Sequence, residues 1–113
     1  MNNFLLGHGI YFYSEDCKLV KMTPEGEKEI ALDNLEVTVL NFFIKNAGKV
    51  KSKHELLNEW PVDFPMESSL TRVISVLRKK LGDTDKTKKF IKTLNRKGYQ
   101  YIGLADPIAP PAE

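Results

Sequence analysis

Hydroxyl and basic side chains recur at helical spacing through SSLTRVISVLRKKLG, the stretch that opens at Ser68. At about 100° per residue, Ser68, Thr71, Arg72, Ser75, Val76 and Lys79 share one face. Short hydroxyls let a backbone come close and donate to phosphate oxygens or base edges, and an arginine can grip guanine O6 and N7 with two bonds. A solvated helix face ordinarily carries Glu and Lys four residues apart. Here no acid stands between Glu67 and Asp83. Ser and Thr are indifferent helix formers, so a row of them gains nothing unless it touches something. Val76 sits at the edge of this face, able either to meet a thymine methyl or to pack on a neighbouring element. Arg78 and Lys80 flank the opposite, apolar stripe.

A second basic element follows in FIKTLNRKGYQYIG. It reads as a β-hairpin with Thr93, Asn95, Arg96 and Lys97 near its tip and Gly98 free to take φ > 0 in the turn. Arg and Lys at such a tip can enter a minor groove or lie along phosphates. The bland alternative is a basic tip that serves solubility. Tyr99 and Tyr101 share one strand face and read as core residues in preference to stacking platforms for single strands.

Other elements must position these two. Residues 9–13, 17–22 and 27–32 are short β-branched and aromatic segments separated by turns, an antiparallel meander to which Phe4–Leu6 add an edge strand. Asp33 with Glu36 three residues on caps a helix carrying Leu35, Val39, Leu40, Phe43 and Ile44, with Gly48 at C′. Ser52-Lys53-His54-Glu55 is a full capping box for a second helix, which runs past Trp60 and stops at Pro61. A proline-bounded loop spans 61–65. The third helix covers 67–81, ends at Gly82, and buries Leu70, Val73, Ile74, Leu77 and Leu81. Residues 83–89 form a polar connector. The class is α+β: an N-terminal antiparallel β-meander, a three-helix core and a C-terminal β-hairpin, a helix-turn-helix with a wing. The domain covers 1–103, and the Pro/Ala-rich end, 104–113, reads as a linker or disordered tail.

At 113 residues the chain suits a single domain with its own core. Its net charge of +2 is unevenly spread: residues 1–65 hold 7 Lys/Arg against 10 Asp/Glu, and residues 66–103 hold 10 against 3. Segregated positive charge is the footprint of a polyanion-binding face, or else an unpartnered solvated surface. The single cysteine, Cys17, cannot form an internal disulfide and reads as a half-buried strand residue in a reducing setting. No apolar run approaches the ~18 residues of a membrane span, and no signal-peptide order is present. His8 and His54 stand apart, with no nucleophile–base pair, metal-ligand spacing or glycine-rich phosphate loop. Neither an enzyme nor a bound cofactor or metal is implied. Three readings of the basic surface remain: a sequence-specific binder of double-stranded DNA, a sequence-neutral DNA binder, and a protein-interaction module docking an acidic partner.

Three blocks resemble one family. LDNLE with GKVKSKHELL, then SSLTRVISVLRKKLGD, then IKTLNRKGYQY are similar to the OmpR/PhoB-type winged helix-turn-helix over roughly Gly9 to Gly103. The resemblance implies a bacterial transcriptional regulator with its third helix in the major groove of promoter DNA and its hairpin wing at the minor groove. On that basis Ser68, Thr71, Arg72, Ser75, Val76 and Lys79 read bases, Arg78 faces the DNA backbone, and Thr93 and Asn95 belong to the wing. It also implies head-to-tail binding to tandem sites and a loop between the second and third helices that touches RNA polymerase. Where phosphorelay members of the family often carry arginines, this chain has Ser75, Val76 and Asn95, so its preferred sequence must differ. SLTRVISVLRKKL followed by NRKGY is closer to the CadC/ToxR-like one-component branch. That branch implies no preceding receiver domain, a cytoplasmic location, and an inner-membrane anchor beyond residue 113.

Overall fold

Tyr11 and Tyr13 lie half-buried between the buried Ile10 and Phe12, the two-residue period of a strand with one inward face. In the computed structural model, which describes residues 3–58, 67–84 and 86–108, that strand is one of four in the first third of the chain. Strands β1 (Asn3–Gly7), β2 (Ile10–Tyr13), β3 (Lys18–Thr23) and β4 (Gly26–Ala31) pair antiparallel in sequence order. His8 and Gly9 join β1 to β2 with φ of 51° and 74°, the left-handed pair that matches strand twist in a tight hairpin.

Three helices follow this sheet and share a core with it. Helix α1 (Asn34–Lys45) begins with the expected reciprocal cap: the Asp33 carboxylate accepts from the Glu36 backbone N–H at 2.8 Å, and Asp33 N–H donates to Glu36 at 3.2 Å. It buries Val39, Leu40, Phe43 and Ile44. Helix α2 (Lys53–Asn58) opens with the Ser52/Glu55 capping box, both bonds at 3.2 Å, and buries Leu56. Helix α3 (Glu67–Leu81) buries Leu70, Val73, Ile74, Leu77 and Leu81, each 5% exposed or less. These side chains merge into one core with Leu6, Ile10, Phe12 and Leu19 of the sheet and Phe90, Ile91, Tyr99 and Tyr101 beyond α3. The expected positions of Trp60, the Pro61 stop and the 61–65 loop lie outside the described residues.

After α3, strands β6 (Ile91–Leu94) and β7 (Gly98–Tyr101) form the hairpin, and Tyr99 and Tyr101 are buried as core residues. The wing has a third strand, β5 (Val50–Lys51), which pairs with β7 and makes the order β5-β7-β6. Two residues between helices give too short a run for strand periodicity to reveal. The α+β winged-helix arrangement is as expected, with four local corrections.

Gly48 is not at C′. Asn46 caps α1, its side-chain amide donating to Phe42 O at 2.9 Å, and Gly48, two residues on, donates its N–H to Tyr101 O of the wing. Cys17 is half-buried but lies in the β2–β3 turn at φ 51°, its carbonyl accepting from Leu32 N–H. Residues 104–108 are not a tail. Leu104 N–H donates to Leu6 O, and β8 (Asp106–Pro107) pairs with β1 as a fifth strand, order β4-β3-β2-β1-β8. A proline tolerates this place because an edge strand needs no donor on its outer side. As a result β1 is an interior strand and not an edge. Residues 109–113 lie outside the described part.

Candidate nucleic-acid interface

The buried stripe of α3 fixes what the rest of the helix can do. With Leu70, Val73, Ile74 and Leu77 held in the core, Ser68, Thr71, Arg72, Ser75 and Lys79 are all exposed. Among the described side chains of α3 none is acidic. Val76 is half-buried yet is not among the side chains packed on the core, which places a methyl-bearing surface beside Arg72 and Lys79. The flanking cation Lys80 has a separate duty. Its ammonium donates to Glu36 at 2.6 Å and to Ala31 O at 2.8 Å, tying α3 to the start of α1. Glu36 is 6% exposed, and a buried carboxylate needs such a partner.

Arg78 links the two basic elements. Its Nε donates to Ile91 O at 3.2 Å and its Nη2 to Thr93 Oγ1, and the guanidinium carbon lies 5.8 Å from the Tyr99 ring centroid. Two of its five donors are therefore committed to the wing. Thr93 is exposed and accepts this bond, so the two residues expected to act separately form one unit. Beyond it, Asn95, Arg96 and Lys97 are exposed at the wing tip. Arg96 takes φ 63° and Gly98 φ 132°. Gly98 also lets β5 come close, because a Cβ added there would sit 2.1 Å from Lys51 O.

The connector after α3 holds a buried carboxylate that sequence reading took for part of a polar loop. Asp83 is 9% exposed. Its Oδ1 accepts from the N–H groups of Lys89 (2.6 Å) and Phe90 (3.1 Å), and its Oδ2 from Ile91 N–H (3.0 Å). Gly82 at φ 93° lets the chain leave the helix so that both Gly82 and Asp83 donate to Arg78 O. A carboxylate accepting several backbone N–H bonds is a strong local organiser. Here it fixes where β6 begins relative to α3. Burial, and the Asp83 charge nearby, push the Tyr101 phenol well above the ordinary tyrosine range, so its hydroxyl stays a donor, to Leu104 O at 2.6 Å.

Two further cationic or titratable groups join the wing tip. A cleft of about 380 Å³ is lined by Lys53 and His54 of α2 and by Arg96 and Lys97 of the wing, together with Ser52 and Thr93. Sequence reading left His54 standing apart and Lys53 within the capping box. No signal in the chain joins residues 53–54 to 96–97; the β5–β7 pairing does. Among the described residues no group of His, Cys, Asp or Glu is placed to hold a metal ion, and no helix is long and apolar enough to cross a membrane.

Comparison with known proteins adds three findings. The family model described as "Transcriptional regulatory protein, C terminal" matches residues 27–101. The transcriptional regulator HilA of Salmonella typhi is 37% identical over 87 residues, covering 76% of this chain and 16% of HilA. The cholera toxin homolog transcriptional activator of Vibrio parahaemolyticus is 32% identical over 113 residues, covering 95% of this chain and 37% of that protein. The chain thus spans only a minor part of the curated relatives it matches. The DNA-binding domain of Klebsiella pneumoniae RstA, solved in complex with the RstA box, shares the fold at a TM-score of 0.72 and 24% identity, covering 90% of this chain and 98% of that one. The DNA-binding domain of Escherichia coli CadC matches at 0.72 and 24%, covering 88% and 92%.

Proposed function

We propose a function from one premise: the chain belongs to the transcriptional regulatory protein, C-terminal family, whose domain is a winged-helix DNA-binding domain and not an enzyme. In this chain α3 enters the major groove of double-stranded promoter DNA and the β6–β7 wing follows the adjacent minor groove and its phosphates. The observation that carries this is the division of α3: a fully buried apolar stripe opposite an exposed, acid-free face of Ser68, Thr71, Arg72, Ser75 and Lys79. Arg72 is the side chain best suited to two-bond readout of a guanine, with the hydroxyls reading neighbouring edges. Val76 supplies apolar contact to a thymine methyl. Lys79 and the wing residues Asn95, Arg96 and Lys97 neutralise phosphates, which gives salt-dependent affinity. Arg78 and Thr93 set the angle between helix and wing.

The RstA domain was solved with its own DNA box, which supports the same mode of binding here. Three finer readings follow from the branch the sequence resembles. Copies bind tandem sites head to tail; the segment between α2 and α3 touches RNA polymerase; and the natural regulator acts at DNA in a bacterial cytoplasm, tethered by a membrane anchor beyond residue 113. Selection of bound sequences from a random DNA pool defines the target. Against that target, Arg72→Ala weakens binding by about 1–3 kcal/mol and relaxes preference at one base position. Lys79→Ala weakens binding across all sequences and lowers the salt slope by about one. Both residues are exposed, so both variants stay folded. If both bind the selected DNA as the parent does, the interface assignment is wrong, and an acidic protein partner becomes the better account of the face.

A further inference from the structure

We infer that His54 is a proton-gated phosphate contact, so that DNA affinity in this domain rises as pH falls through the histidine range. The inference rests on the DNA-binding reading and adds a residue and a dependence to it. His54 is exposed in the first turn of α2 and lines the cleft whose opposite wall is the wing tip. The charged and titratable residues lining the cleft with it are Lys53 on its own helix and Arg96, Lys97 and Tyr99 on the wing, and Glu55 on α2 and Lys51 on β5 are its neighbours outside that lining. Glu55 is engaged elsewhere, paired with Lys51 at 3.2 Å and accepting from Ser52 N–H. Among the described residues no carboxylate lines the cleft. It is therefore a concave, cationic and hydroxyl-bearing wall, and a DNA phosphodiester is the chemistry that fits it. The wing tip brings its own cations to any backbone it follows, and His54 lines the same cleft as they do.

A neutral imidazole offers a phosphate at most one uncharged hydrogen bond. The imidazolium offers a charge and a donor on each nitrogen. Binding then takes up a proton. Uptake of most of one proton on binding, over the range in which histidine changes charge, makes binding about fivefold tighter at pH 5.5 than at pH 7.5. The counterion slope is steeper by about one at the lower pH. The chain holds only two histidines. His8 lies in the β1–β2 turn with its ring edge-on to Phe90 at 5.6 Å and is not part of the cleft.

The test measures dissociation constants from pH 5.5 to 7.5 at fixed salt, using a labelled duplex recovered by selection from a random pool and a mixed-sequence duplex. The intact domain is expected to show the fivefold dependence on the selected duplex. His54→Gln removes it and binds at the weaker, high-pH level throughout. His54→Lys also removes it but binds at the tighter, low-pH level. His8→Asn, which suits the left-handed turn, keeps it. Circular dichroism across the same range excludes unfolding as the cause. A pH-independent affinity in the intact domain, or a dependence that survives His54→Gln, overturns the inference while leaving DNA binding intact. Failure of both duplexes to bind at any pH overturns the DNA-binding reading and this inference with it.

Discussion

Replacing Asp83 with alanine removes the one acceptor that three consecutive backbone donors share. Lys89 is exposed and its N–H can turn to water, but Phe90 and Ile91 are fully buried and theirs cannot. An unsatisfied buried donor costs about 1–3 kcal/mol, so two of them cost about 4 kcal/mol. That is a large part of the 5–15 kcal/mol by which a domain is usually stable. Asp83→Asn keeps one acceptor oxygen for Lys89 and Phe90 but turns an NH₂ toward Ile91 N–H. Its expected cost is about half, roughly 2 kcal/mol. Urea unfolding followed by circular dichroism reads both values as a lower midpoint at unchanged slope. By thermal melting the alanine variant unfolds roughly 15 °C lower. An alanine variant within 1 kcal/mol of the parent would show that the three N–H groups find other partners and that the carboxylate does not organise the start of the wing.

Gly98→Ala places a Cβ against Lys51 O in a backbone region that side chains rarely adopt. Loss of about 3 kcal/mol or more, with loss of amide protection in β5, is expected, and unchanged β5–β7 protection would count against the close approach. Lys80→Met leaves the Glu36 carboxylate buried without its cation and costs about 2 kcal/mol, scaled down from a fully buried pair because the lysine is partly solvated. Glu36→Gln in the same chain recovers part of that loss, and a double-mutant cycle with no coupling would refute the link. Hydrogen bonding from Ser52 N–H, then the Lys51 ammonium, holds the Glu55 carboxyl below the usual glutamate range. A depressed folded-state pKa adds stability above the ordinary glutamate pKa that disappears as pH falls through the depressed value. An NMR titration should therefore place the Glu55 midpoint below that of an unstructured glutamate, with α2 amide protection fading beneath it. A midpoint at or above the unstructured value removes this account of the cap.

The recognition face was legible in the sequence because a helix reports its own geometry. Once Leu70, Val73, Ile74 and Leu77 share a stripe, Ser68, Arg72 and Ser75 have only one direction left. Caps were legible for the same reason, since Asp33/Glu36 and Ser52/Glu55 act within four residues. What was hidden depends on partners far along the chain. Arg78 looks like any outward arginine until Ile91 and Thr93 are folded beside it. Asp83 looks like a loop acid until three N–H groups six to eight residues later converge on it. Residues 104–108 have the composition of a linker, and only the free edge of β1, a hundred positions earlier, makes a strand of them.

The return of β8 to β1 has a mechanical meaning. Past the wing the chain passes Gly103, whose missing Cβ leaves room for Phe90 and Tyr101, then Leu104, and is fastened to the opposite sheet by Leu104 N–H on Leu6 O and Ile108 N–H on Asn3 O. A pull on the backbone at Ile108 therefore loads β1 along the strand direction, and the bonds there share the load in shear. The wing lies upstream of that fastening. Tension from the C-terminal side leaves the angle between α3 and the wing tip unchanged until the β1–β8 bonds give way together, and only then does the pull reach Tyr101 and the reading head.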